Sequence, residues 1–120
     1  MKIAVTAQGS DLFSEIDLRF GRAKYLLVVD TETSDFEVHD NQLNLNAAQG
    51  AGIQTGQNIA NLDVEAVITG NVGPNAFKTL NAANIKIYLS EMQTVQQAIE
   101  RFKSGDLTQV DQANVEGHWV

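Results

Sequence analysis

Apolar residues come in short blocks along the chain, and the period of the blocks changes in a regular way. Ile3-Ala4-Val5 is an unbroken run inside Lys2–Ala7 that stops at Gln8-Gly9-Ser10, the pattern of a short strand buried on both faces. Tyr25–Asp30 (Tyr-Leu-Leu-Val-Val-Asp) repeats it and reads as a second, central strand. After the polar turn Thr31–Asp35, Phe36 and Val38 alternate with Glu37 and His39 up to Asp40. That alternation predicts a half-exposed third strand, paired as a hairpin with the second. A polar connector rich in Asn, Gln and Ala occupies Asn41–Gly50, and beyond it the period lengthens. Ile53, Gly56, Ile59, Ala60 and Leu62 share one face of a helix expected over Gly52–Leu62. Glu65–Thr69 is a fourth strand, stopped by Gly70. Pro74, the only proline, fits the first turn of a helix over Asn75–Ala83, with Ala76, Phe77, Leu80 and Ala83 inward and Asn84 as its stop. Ile85–Leu89 is a fifth strand. Thr94 with Gln97 forms a capping box, and Val95, Ala98, Ile99 and Phe102 make the stripe of a third helix that Gly105 ends. Phe77 and Phe102 both read as core.

The order is therefore β-β-β-α-β-α-β-α. Two right-handed β-α-β crossovers require strands 1, 4 and 5 to be parallel, and the opening meander adds strands 2 and 3 antiparallel. The expected fold is α/β, a five-stranded mixed sheet of order 3-2-1-4-5 with helices on its faces. Residues 1–110 form the domain and 111–120 a polar C-terminal tail. Open sheets of this kind bind ligands beyond the carboxyl ends of their parallel strands. Those ends are Gln8–Asp11, Gly70–Asn75 and Ser90–Thr94.

Composition narrows the chemistry. The chain of 120 residues has no cysteine, which excludes a disulfide framework, a thiolate nucleophile and any Cys-ligated zinc or iron–sulfur cluster. His39 and His118 are too far apart in sequence for a metal-ligand motif; His39 reads as solvated on an exposed strand face, and His118 lies in the tail. No metal-ligating and no catalytic side chain is assigned. A net charge of −7 argues against nucleic acid as a partner. No run approaches a membrane span, and the apolar start is too short for a signal peptide, so the expected location is cytoplasmic and the expected partners include no membrane.

Three segments stand out. Arg19, Arg22 and Lys24 put three of the chain's eight cations within six positions, a local positive site in an acidic protein. Arginines supply forked donors to an anion, although pairing with Asp11, Glu15 or Asp17 on a solvated loop accounts for the same charges. Gly50 and Gly52 flank a helix start, where free backbone N–H groups can hold an anion. The spacing there is neither the dinucleotide nor the Walker A pattern, and a simple turn explains it as well. Asn71, Gly73, Pro74 and Asn75 lie between the fourth strand and the second helix, at a parallel-strand carboxyl end.

Taken in order, Phe20-Gly21-Arg22-Ala23 before Tyr25–Asp30, then Gly50-Ala51-Gly52-Ile53-Gln54, then Gly70-Asn71-Val72-Gly73-Pro74-Asn75-Ala76-Phe77, resemble the dinitrogenase iron–molybdenum cofactor biosynthesis family over about residues 1–110. The resemblance implies a ribonuclease H-like motif and carriage of a metal–sulfur cluster or its precursor. Members of the nitrogenase branch tend to carry His directly before Phe-Gly, where this chain has Arg19. A guanidinium does not usefully ligate a metal but can bind an anionic cluster. The chain is thus most similar to the stand-alone orange-protein type, which implies a molybdenum–copper–sulfide cluster held without covalent protein ligands. An iron–molybdenum–sulfur cofactor precursor is the alternative cargo.

The implied function is a non-enzymatic carrier of an anionic molybdenum-containing metal–sulfide cluster, with room for a protein partner in delivery. The cofactor-binding candidates are Arg19, Phe20, Gly21, Arg22, Gly50, Gly52, Asn71, Gly73, Pro74 and Asn75. A nuclease is rejected, because two-metal chemistry needs carboxylates converging from strand ends that here carry none. A regulatory or protein-interaction module that binds no cluster remains the second reading.

Overall fold

A computed structural model describes residues 1–41 and 50–114. The connector residues 42–49 and the end of the tail, with His118, lie outside the described residues. The chain forms β1 (Lys2–Ala7), β2 (Tyr25–Asp30), β3 (Phe36–Asp40), α1 (Ala51–Ala60), β4 (Ala66–Thr69), α2 (Pro74–Ala82), β5 (Lys86–Leu89), α3 (Val95–Ser104) and β6 (Thr108–Val110). One mixed sheet runs in the order β3-β2-β1-β4-β5-β6. Strands β1, β4 and β5 are parallel, with Ile3 opposite Ala66 and Ala66 opposite Lys86. Strand β2 is antiparallel to both β1 and β3.

The expected order 3-2-1-4-5 is the order found, with one correction: the sheet has six strands and not five. Strand β6 is a three-residue run, Thr108-Gln109-Val110, antiparallel to β5. Three residues with one apolar side chain set up no readable alternation, so this strand is made by its pairing with Ile87–Leu89 and not by its own pattern.

The strand period of two divides the core. Ala4, Leu26, Val28, Val67 and Ile87 point to one face and pack with Ile59 of α1 and Ala76 and Leu80 of α2. Ile3, Val5, Leu27, Val29 and Ile68 point to the other and meet Val95, Ala98 and Ile99 of α3. Phe77 and Phe102 are corrected from core to core margin: both are partly buried, Phe77 against the first cluster and Phe102 against the second, edge-on to Tyr88 with ring centroids 4.9 Å apart.

Local chemistry sets the helix ends. The Thr94 hydroxyl accepts from Gln97 N–H at 3.1 Å, and the Gln97 carboxamide accepts from Thr94 N–H at 3.0 Å, the reciprocal capping box. Gly105 closes α3 in the left-handed conformation, φ 78°, which its missing β-carbon makes inexpensive.

Candidate functional site

The segment between β1 and β2 has no period of its own, and it is fixed by bonds to several distant parts of the chain. Gln8 N–H donates to the Glu15 carbonyl at 2.9 Å, and Asp17 N–H donates to the Thr6 carbonyl at 2.8 Å, so the chain folds back along the end of β1. Ile16 N–H donates to Gln93 and Val95 N–H to Ser14, both at 2.9 Å, tying the segment to the start of α3. Phe20 N–H donates to the Asn71 carbonyl at 3.3 Å, and the Asn71 side-chain NH2 donates to the Leu18 carbonyl at 3.3 Å. Residues 19 and 71 therefore meet as in a parallel sheet, one bridge long. Inside this junction the Thr6 hydroxyl lies 2.7 Å from the Asp17 carbonyl and 2.9 Å from the Thr69 hydroxyl, which satisfies two buried hydroxyls at the ends of β1 and β4.

Above the junction lies a cleft of about 640 Å³ lined by Gln8, Asp17, Leu18, Arg19, Lys24, Asn71 and Met92. Gln8 follows β1, Asn71 follows β4 and Met92 follows β5, so the cleft sits beyond the carboxyl ends of all three parallel strands. Asp17 is almost wholly buried, and its carboxylate accepts from Arg19 N–H at 3.0 Å and from Arg19 Nε–H at 3.4 Å. The pair orients the arginine stem while half of the side chain stays exposed. Because the contact uses Nε, the two terminal guanidinium nitrogens remain as donors that an anion can engage. Lys24 adds a second cation, its Nζ 5.8 Å from the centre of the Tyr25 ring.

Among the ten sequence-predicted residues, the structure brings Arg19 and Asn71 together in the cleft lining. Phe20 is fully buried in the core cluster that also holds Ala4 and Leu26, so only its backbone reaches the junction. Gly21 packs on the start of α1: a β-carbon there would lie 2.6 Å from the Gly52 nitrogen. Gly52 is itself buried against that contact, and Gly50 precedes the helix as its N-cap, φ 79°. The Thr55 hydroxyl, one turn into α1, lies 3.2 Å from the Gly21 carbonyl. Arg22 is half-buried, and Gly73, Pro74 and Asn75 form the start of α2; these four lie outside the cleft lining.

Sequence reasoning missed Gln8, Asp17, Met92 and Asn114 as site residues. The first and third stood at strand carboxyl ends already marked as ligand-facing, which was signal enough to include them. Asn114 carried none: its N–H donates to the Val72 carbonyl at 3.1 Å, its Oδ1 accepts from Val72 N–H at 2.7 Å, and its Nδ2 donates to Asn71 Oδ1 at 3.1 Å.

The donor set suits an anion. Lys24, Arg19 and the Asn71 NH2 group line the cleft as donors, while the Gln8 NH2 is given to the Ile16 carbonyl at 3.2 Å and the Met92 sulfur at 3.9 Å, and the one buried carboxylate is already paired. Among the described residues no group of three or more His, Asp or Glu side chains converges on a point. No helix among them is long and apolar enough to cross a membrane.

Known proteins share this fold. The apo form of the orange protein from Desulfovibrio gigas superposes with a TM-score of 0.91 at 41% identity, covering 95% of this chain and 96% of that one. A NifB-like protein of the DUF35 family from Thermotoga gives 0.83 at 40% identity, covering 97% and 98%. An uncharacterized protein of Methanocaldococcus jannaschii is 28% identical over 110 residues, 89% of each chain. The family model described as dinitrogenase iron-molybdenum cofactor matches residues 1–105. With motifs, sheet order and overall superposition in agreement, the chain belongs to the dinitrogenase iron-molybdenum cofactor family.

Proposed function

We propose that the chain is a non-enzymatic carrier that binds an anionic molybdenum-containing metal–sulfide cluster in the cleft, mainly by charge and hydrogen bonds. The observation that carries this reading is the grouping of two cations, Arg19 and Lys24, with the Asn71 amide around one cleft in a chain of net charge −7. A diffuse acidic surface repels a polyanion, so a concentrated patch of cations is what lets such a cargo approach. A chain without cysteine has no thiolate to offer a metal, and the cleft presents hydrogen-bond donors instead. The orange-protein likeness favours a molybdenum–copper–sulfide cluster as cargo, with an iron–molybdenum–sulfur precursor as the alternative.

In this reading Arg19 and Asn71 touch the cargo, and Arg22 adds to the local potential. Phe20 and Gly21 hold the arginine loop by packing, Phe20 in the core and Gly21 on Gly52. Gly50, Gly73, Pro74 and Asn75 shape the starts of α1 and α2 beside it. A protein that takes over the cargo completes the role of a carrier.

The test is anaerobic reconstitution with a preassembled thiomolybdate–copper cluster, followed by visible absorption and metal counting. The account expects one cluster per chain, undiminished in His39→Ala and His118→Ala. A wild-type chain that takes up no cluster favours the protein-interaction module, and loss of cluster in either histidine variant replaces the hydrogen-bonded site with a coordinating one.

A further inference from the structure

Asn114 lies beyond the residues that match the family model, yet its side chain completes a directed chain of hydrogen bonds into the cleft. Val72 N–H donates to Asn114 Oδ1, Asn114 Nδ2 donates to Asn71 Oδ1, and Asn71 Nδ2 donates to the Leu18 carbonyl. The two ends fix the direction. A backbone N–H can only donate, so the Asn114 atom facing Val72 is oxygen and its other atom is the NH2 group. A backbone carbonyl can only accept, so the Asn71 atom facing Leu18 is NH2 and its oxygen turns to Asn114. These assignments agree at the middle bond. An amide NH2 carries two hydrogens, the Leu18 carbonyl takes one, and Asn71 lines the cleft beside Arg19.

We propose that Asn114 is a positioning residue for the cargo: it locks the Asn71 carboxamide so that its NH2 group donates the second hydrogen to the bound anion. The C-terminal segment up to Asn114 thereby becomes part of the binding site. The inference rests on the carrier reading of the cleft.

The experiment uses the full chain and tetrathiomolybdate as the probe anion, with affinity, thermal midpoint and the side-chain NH2 resonances of Asn71 read in parallel. Asn114→Asp keeps an acceptor for Val72 N–H but sets a carboxylate against Asn71 Oδ1. The Asn71 amide then turns over, its NH2 to the carboxylate and its oxygen to the anion, at the loss of its bond to the Leu18 carbonyl. Affinity is expected to fall roughly tenfold, with a modest fall in the thermal midpoint from the lost Leu18 bond. The Asn71 NH2 resonances, which shift with the probe in the wild type, are expected to stop responding. Asn114→Ala, which removes the lock without adding charge, is expected to move the same way by less. Gln112→Glu adds the same charge two residues away and is expected to cost under about twofold, since an exposed charge is screened. Equal affinity in Asn114→Asp, with Asn71 still responding, overturns the inference and leaves the carrier reading standing. A wild-type chain that binds no tetrathiomolybdate takes both down together.

Discussion

Gly21 and Gly52 are in backbone contact: a β-carbon built on Gly21 would stand 2.6 Å from the Gly52 nitrogen and 2.9 Å from its Cα. Both atoms belong to the first turn of a helix and cannot swing aside as a side chain can. Gly21→Ala is therefore expected to push the arginine loop off α1 at a cost of about 1–3 kcal/mol, the usual range for overpacking. A urea midpoint equal to the wild type would show that the loop can shift freely and that glycine serves another purpose there.

The ion pair between Asp17 and Arg19 gives two predictions of opposite sign. Arg19→Ala removes a charge-assisted donor, expected to weaken anion binding about ten- to thirtyfold, less than a fully buried arginine because this one is half exposed. Asp17→Asn keeps an oxygen to accept Arg19 N–H but removes the competing negative charge, and is expected to tighten binding severalfold. Titration with tetrathiomolybdate at low and high salt measures both. Weaker binding in Asp17→Asn would mean that the carboxylate organises the arginine more than it neutralises it.

Phe77 packs at the margin of the core and not in its centre. Full truncation of a buried phenylalanine costs about 3–5 kcal/mol, so a partly buried one is expected to cost about 2 kcal/mol. Phe77→Ala should lower the urea midpoint accordingly and leave anion affinity unchanged. A loss of affinity without a loss of stability would move Phe77 from the core to the binding surface.

Asp30 ends β2, and its carboxylate accepts from Glu32 N–H at 2.9 Å. That backbone bond holds the Asp30 carboxyl below its ordinary range; desolvation opposes it, and lesser help comes from Thr33, the chain's amino terminus and Lys2. A lowered folded value means the carboxylate form stabilises the fold. The contribution is complete above the unfolded value of about 4 and is lost as pH falls from there through the folded value. Asp30→Asn is expected to lower the thermal midpoint at pH 7 slightly and to abolish this part of its acid dependence. Parallel acid limbs for the two proteins would contradict the assignment.

What could be read in the sequence follows from how local the cause is. The Thr94–Gln97 box and the stop at Gly105 are chemistry within a few residues, and they stand where the sequence placed them. The strand order also came out of the pattern, because an apolar run on both faces marks the central strands and crossover handedness orders the parallel ones. Strand β6 and the folding of residues 8–24 escaped for a related reason: both are set by distant partners, β6 by a three-residue ladder on β5 and the segment by isolated bridges, and neither is long enough to impose a period of its own. The basic loop was legible as charge, but Asp17 beside Arg19 was one of three carboxylates that could have paired with it, and only the folded chain selects it. Asn114 is one of many polar residues near the C-terminus, and its partners lie more than forty positions away.

The central claim is that the cleft carries a molybdenum-containing sulfide cluster. Its most direct test is elemental analysis of the protein purified anaerobically from its own source, with molybdenum, copper, iron and acid-labile sulfide counted per chain and the visible spectrum recorded on the same sample. The account predicts stoichiometric molybdenum with sulfide, released intact by high salt because charge and hydrogen bonds hold it. Protein that arrives colourless and free of molybdenum, and stays so when purified from cells supplied with molybdate, would contradict it.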